Sequence, residues 1–364
     1  MNILFIPHLP HSRQINRVYE FTQVSNSYFL DWYIENSSFY EKIKSQIFSF
    51  FQIISLKNNF MRIPLLFRPE RIAVTFNTWV LNYAIKKFNI DVVVNSQAWM
   101  FDIEKISVPV VYDLVDDWLT VNRDIGVTPV RLEKIKRDLK NSVGVVAVTE
   151  VLENKVKLLN SKTITVENGL YLERFNRSKS LKRELGIEGK KVFGYIGGVD
   201  EWTGIEAACK AYMEIKEESN IMLIVGDSES KFFTDLKKKY ENDILFVGLI
   251  HPKEVGNYFK TLDIGLIPFE LNDFTHNAYP IKAIEYGLAG ANVISTSLAV
   301  LVEKDFPFIH FYNINDFAKG MKEVNNKEFQ FNFDNLSWEK QTDKLISFIN
   351  SVILEKKEDE EKFK

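Results

Sequence analysis

Residues 192–206 read VFGYIGGVDEWTGIE. The apolar run stops at Gly197-Gly198, and a helix is expected to open about five residues later. An apolar run without alternation fits a parallel strand buried on both faces. Glycines at its end let the backbone come close to a ligand, and the following helix start offers free N–H groups to a phosphate. The spacing is not GxGxxG, so a nicotinamide or flavin fingerprint is not supported. A glycine pair after a strand is also an ordinary tight turn, and its surroundings have to decide.

Working outward, the same rhythm recurs. Further strands are expected at 221–225, 244–247, 264–268 and 292–295, and, before the motif, at 3–6, 29–34, 92–95, 110–113, 145–148 and 163–166. Short apolar runs alternating with helical stretches predict an α/β fold of doubly wound, Rossmann-like sheets, which place ligands beyond the carboxyl ends of their strands. A polar stretch at 167–190, carrying Asn168-Gly169, divides the series in two. The division agrees with length, since 364 residues make about two domains of ~150.

Composition narrows the classes. With 46% apolar and 26% charged residues the chain is neither disordered nor fibrous. The net charge of −3 divides as +3 over residues 1–170 and −6 over the remainder. No nucleic-acid module is recognisable, and no nucleic acid is expected as a partner. The single cysteine, Cys209, cannot form an internal disulfide, so nothing points to an oxidising compartment. The start, MNILFIPHLPHSR, lacks the layout of a signal peptide. The nearest candidate for a span, 47–56, is far short of the ~18 apolar residues required. A cytoplasmic protein is expected, peripheral to a membrane at most.

Four other stretches carry chemistry. In 269–290, FELNDFTHNAYPIKAIEYGLAG, a helix is expected over 279–288 with Pro280 in its first turn. Lys282 and Glu285 then share a face near its start, where a carboxylate suits ribose hydroxyls and a lysine suits a phosphate; the plain alternative is a surface i,i+3 pair. In 110–118, VVYDLVDDW, the carboxylates of Asp113, Asp116 and Asp117 follow a strand. They read either as a perturbed acid cluster or as N-caps of a helix from Trp118, and no metal is expected, because no His or Cys lies at ligand spacing. His8 and His11, with Arg13, sit in the loop after the first strand, as donors or bases or as solvated histidines. Finally, residues 42–87 hold eight Lys/Arg and one acidic residue, Glu70, interleaved with Phe, Ile and Leu. That mixture suits an anionic membrane surface, or simply a positive face of helices.

The order Asn168-Gly169, strand-Gly197-Gly198, Ile224-Val-Gly226-Asp227, Phe246-Val-Gly248, Asp263-Ile-Gly-Leu-Ile-Pro268, Pro280-x-Lys282-x-x-Glu285-Tyr286 and Gly290 resembles the nucleotide-binding half of GT-B-fold glycosyltransferases. The branch is the retaining one, which includes glycogen-synthase-like and bacterial polysaccharide enzymes. Ile6-Pro-His8-x-Pro10 and Tyr112-Asp113-x-x-Asp116-Asp117 resemble a subset near the teichuronic-acid glycosyltransferases. Ser337-Trp338-Glu339 matches the start of the family's last helices, which cross back to the first domain. The resemblance implies a GT-B architecture of two Rossmann-like domains facing a cleft. Residues 1–170 with the helix 340–364 would form the acceptor side, and 175–339 the nucleotide-sugar side. It implies transfer from a nucleotide-diphosphate sugar, a UDP-sugar above all, to a polysaccharide or lipid-linked acceptor, with retention and without metal or other cofactor. Glu285 would bind the ribose, and the loop 275–280, with Asn277 and Tyr279, the diphosphate and sugar. Val247 and Ile250 would meet the base, and Gly197, Gly198, Gly226 and Asp227 would line the donor. Asp116, Asp117 and His8 would serve catalysis on the acceptor side. Two departures stand out. Asn277 occupies the position of a family glutamate, and Gly198 and Thr203 occupy those of an arginine and a lysine. The loss of those cations motivates a second reading, a non-catalytic partner subunit of an active enzyme.

Overall fold

The computed structural model describes residues 1–8, 17–25, 27–32, 39–119, 127–228, 230–272, 275–276, 279–325 and 327–362. They form two compact units, Met1–Gly169 with Trp338–Lys364, and Leu170–Ser337.

The first unit is built on strands β1 (Ile3–Ile6), β2 (Tyr28–Leu30), β3 (Ser55–Lys57), β4 (Phe60–Arg62), β5 (Val92–Asn95), β6 (Val110–Leu114), β7 (Gly144–Ala147) and β8 (Thr163–Thr165). Their order is β3-β4-β2-β1-β5-β6-β7-β8. All neighbours are parallel except the β3–β4 hairpin. The hairpin is absent from the expected series of strands, and β2 ends at Leu30, short of the expected 34; residues 33–38 lie outside the described set. Each hairpin strand is three residues long, too short for a readable apolar alternation. Strands β1, β5, β6 and β7 are buried throughout, which explains their unbroken Val/Ile runs.

The second unit holds β9 (Lys191–Ile196), β10 (Asn220–Val225), β11 (Leu245–Gly248), β12 (Ile264–Ile267), β13 (Asn292–Ser295) and β14 (Ile309–Phe311). The order β11-β10-β9-β12-β13-β14 is the 3-2-1-4-5-6 arrangement of a doubly wound sheet counted from β9. The edge strand β14 is absent from the expected series, because its three residues IHF carry a central histidine. Cys209, on the helix Ile205–Met213, is buried in this unit's core, and burial pushes its thiol up to about 12.

The long helix Trp338–Lys362 belongs to the first unit. Its Trp338 meets Phe21, on the helix Arg17–Ser25, edge to face at 5.5 Å. Gly169 is required beside it, since a Cβ there would run into the Trp338 backbone.

Candidate active site

Among the parallel strands of each sheet the order reverses once. The reversal falls at β1/β5 in the first unit and at β9/β12 in the second, and such points are where open α/β sheets bind ligands.

In the second unit, β9 delivers Tyr195 and then Gly197-Gly198. Gly197 has φ +143°, a conformation that favours glycine, and a side chain there would strike the Lys282 ammonium. Lys282 lies at the start of the helix Ile281–Leu288, which opens two residues later than expected, with Pro280 just before its first turn. Its Nζ donates to Tyr195 Oη at 2.9 Å and sits 4.2 Å from the Tyr195 ring centroid and 5.3 Å from that of Phe269. Tyr195 Oη donates in turn to the Gly198 carbonyl at 2.7 Å. Lys282 is therefore not the surface partner of Glu285. It is a cation drawn over the glycine turn by two aromatic rings.

Gly226 follows β10 with φ +133°, and a methyl there would overlap the Gly197 carbonyl. Gly226 N–H also donates to the Gly248 carbonyl at 2.9 Å. The three glycine turns after β9, β10 and β11 thus close on one another. Asp227 is exposed, and its carboxylate accepts the Ser228 N–H in its own loop. Val247 and Ile250, half-buried beside the Gly248 turn, pack against the core.

Glu285 is partly buried one turn beyond Lys282, and burial pushes its carboxyl up to about 7 against the pull of Arg174 and Lys282. Arg174 escaped the sequence reading. It lies on the short helix Leu172–Arg177, 4.4 Å from the Tyr171 ring centroid, and it looked like one member of a basic linker. Only its spacing within NGLYLERF, after the Asn168-Gly169 hinge, could have singled it out. Tyr279 is half-buried against the core; Asn277 lies outside the described residues. Thr203 is buried, and its hydroxyl donates to the Asp200 carbonyl at 2.6 Å. Gly198 and Thr203 therefore bring no charge to this site.

The first unit separates the three aspartates. Asp113 is a buried structural group. Arg17 Nη2 donates to its Oδ1 at 3.0 Å and Ser96 Oγ to its Oδ2 at 2.9 Å. Arg17 also reaches the Val166 carbonyl and Asn168 Oδ1. Asp117 is buried too, with Lys155 3.0 Å from Oδ2 and the Leu119 N–H on Oδ1. Trp118 and Leu119 form a turn, not the helix start that the capping reading offered. Asp116 and Asp117 instead close a turn through Trp118–Leu119, and residues 120–126 lie outside the described set. Asp116 accepts the Asp117 N–H and has no cation beside it among the described residues. Burial and the Asp117 carboxylate push it up to about 6. His8 follows β1, with Nδ1 enclosed and unpartnered; burial and the Arg17 charge pull it down to about 4, so it is neutral at pH 7. Its ring lies 6.2 Å from that of Trp118. His11 and Arg13 lie outside the described residues.

Residues 177–329 match the family model "Glycosyl transferases group 1". The chain is 24% identical over 163 residues to TuaH of Bacillus subtilis, whose name assigns it to teichuronic acid biosynthesis as a glycosyltransferase. It is 26% identical over 171 residues to the alpha-monoglucosyldiacylglycerol synthase of Streptococcus pneumoniae. These alignments cover 44% and 42% of this chain, and only 41% and 37% of the two relatives. Among solved structures, HepE of Anabaena in complex with UDP and glucose superposes with a TM-score of 0.68 at 12% identity, over 96% of this chain and 100% of that one. A glycosyltransferase from Rickettsia africae superposes at 0.69 and 15%, over 97% and 98%. The chain carries a glycosyl transferases group 1 domain, and its fold is that of the GT-B glycosyltransferases.

Proposed function

We propose that the chain is a glycosyltransferase of bacterial surface-glycan or glycolipid synthesis. Its donor is a UDP-sugar held by the second unit. The observation that carries this reading is the Lys282 ammonium, held by Tyr195 and Phe269 over the Gly197 turn at the sheet's reversal point. A diphosphate placed on that turn meets a fixed positive charge, the Lys282 ammonium. Glu285, as carboxylate, accepts the two ribose hydroxyls, and Arg174 balances its charge. In the solved neighbour that binds UDP and glucose the same fold holds these molecules, which supports the assignment of the donor.

The reaction breaks the bond between the anomeric carbon and the diphosphate oxygen and forms one to an acceptor hydroxyl. Lys282 stabilises the charge gathering on the departing diphosphate, a contribution that grows toward the transition state. With that cation supplied by the chain, the reading needs no metal and no other cofactor. On the acceptor side Asp116 is the carboxylate suited to take the hydroxyl proton, because Asp113 and Asp117 are already engaged. Neutral His8 supplies a hydrogen bond there. Retention at the anomeric carbon follows from the branch resemblance.

Titration calorimetry with UDP and UDP-sugars tests this, alongside Lys282→Ala and Glu285→Ala. Micromolar binding that both variants weaken is expected; a wild-type chain that binds no nucleotide sinks the reading. The buried, uncharged Thr203 favours a second reading, a GT-B-like partner subunit without turnover. Sugar transfer by the purified single chain eliminates it.

A further inference from the structure

The first unit carries a surface that this chemistry leaves unused. The helices Phe39–Phe50 and Glu70–Lys87 are joined by rings: Phe50 stacks on Phe76 at 5.5 Å and meets Phe51 at 5.2 Å, and Phe76 lies 6.4 Å from Trp79. The outer members of this face stand in water, with Phe48 65%, Phe51 75%, Ile53 83% and Trp79 67% exposed. Single exposed apolar residues are ordinary, but a contiguous set marks an interaction surface. A groove of about 770 Å³ runs between Ile47, Phe51 and Ile53, lined also by Lys44 and by Arg62, which is paired with Asp31 at 2.8 Å. A second, of about 510 Å³, holds Arg71 beside Ile72 and Trp79. Glu70, the one carboxylate of 42–87, is held by Arg131 at 3.2 Å.

Exposed rings bordered by cations complement a bilayer containing anionic lipid, whose acyl region takes the rings while its phosphates meet the cations. The surface also leads inward. Leu66 lines a recess of about 320 Å³ behind Phe51 and, on its other side, a polar pocket of about 730 Å³ walled by Arg68, Trp99 and the Arg131–Glu70 pair, which leaves Arg68 as its uncompensated cation among the described lining residues. Trp99 lies 6.3 Å from Trp118, which neighbours His8. We infer that this face seats the protein on an anionic bilayer, and that the Arg68–Trp99–Arg131 pocket receives the phosphate headgroup of a lipid-linked acceptor whose chain stays in the membrane. The inference rests on the first unit being the acceptor side of a glycosyltransferase, and it narrows the acceptor to an anionic amphiphile.

The test is co-sedimentation of the full chain with vesicles of phosphatidylcholine, with and without phosphatidylglycerol. Wild type should partition at least tenfold better onto the anionic vesicles, and less so in high salt. The Phe48→Ser/Phe51→Ser/Trp79→Ser variant, altered only at exposed positions, should lose tenfold or more while binding UDP as wild type does. Equal partition onto neutral vesicles, or no loss in the triple variant, overturns the docking face; so does capture of a soluble protein partner on it in place of vesicles. Farnesyl diphosphate probes the pocket, and Arg68→Ser should bind it at least tenfold more weakly. Equal binding overturns the pocket assignment. Vesicle binding that persists in a chain unable to bind UDP places the failure in the donor reading and leaves the membrane face standing.

Discussion

At the scale of single residues, the proposed donor site depends on what burial does to Glu285. Its carboxyl, pushed up to about 7, is mostly protonated at pH 6 and mostly ionised at pH 8. Ribose hydroxyls donate to the ionised form, so affinity rises with pH. UDP-glucose, whose phosphates do not titrate in this range, should bind about tenfold more tightly at pH 8 than at pH 6 by calorimetry. Glu285→Gln should flatten that dependence. Gly226→Ala forces a methyl against the Gly197 carbonyl at a φ that L-residues avoid, so nucleotide binding should fall tenfold or more with the core intact. Sequence places Lys282 and Glu285 on one helix face, three residues apart. It cannot show that Lys282 turns away to Tyr195, 87 residues earlier, or that the charge of Arg174 acts on Glu285. Both follow from tertiary packing, which leaves no local period to read.

Elements differ in how plainly they show. The buried parallel strands stand out because burial on both faces demands unbroken apolar runs, and, apart from β2, their bounds deviate from expectation by a residue or so. The β3–β4 hairpin and β14, three residues each, lie below the length at which a pattern differs from noise. The turn at Asp116–Leu119 resembles a helix start in sequence, because aspartate satisfies backbone N–H groups in either setting. The helix Trp338–Lys362 anchors its unit through Trp338, which is 3% exposed and packs on Phe21. Trp338→Ala should cost about 3–5 kcal/mol of stability, read from urea unfolding followed by circular dichroism.

For the whole molecule, charge is divided by unit. The first holds 26 Lys/Arg against 24 Asp/Glu and the second 20 against 25. On the proposed reading an anionic donor therefore approaches a unit of its own sign and is held by a local cation, Lys282. Stopped-flow association of a UDP-sugar should stay flat or quicken as salt rises, the reverse of the trend for anionic vesicles. A last consequence concerns the lone thiol. Buried, and pushed up to about 12, Cys209 is shielded from maleimides and disulfide reagents while the fold persists. The native chain is thus a blank background for labelling. A cysteine introduced as Phe51→Cys would carry the only reactive handle, and an environment-sensitive dye attached to it would report directly whether that position leaves water.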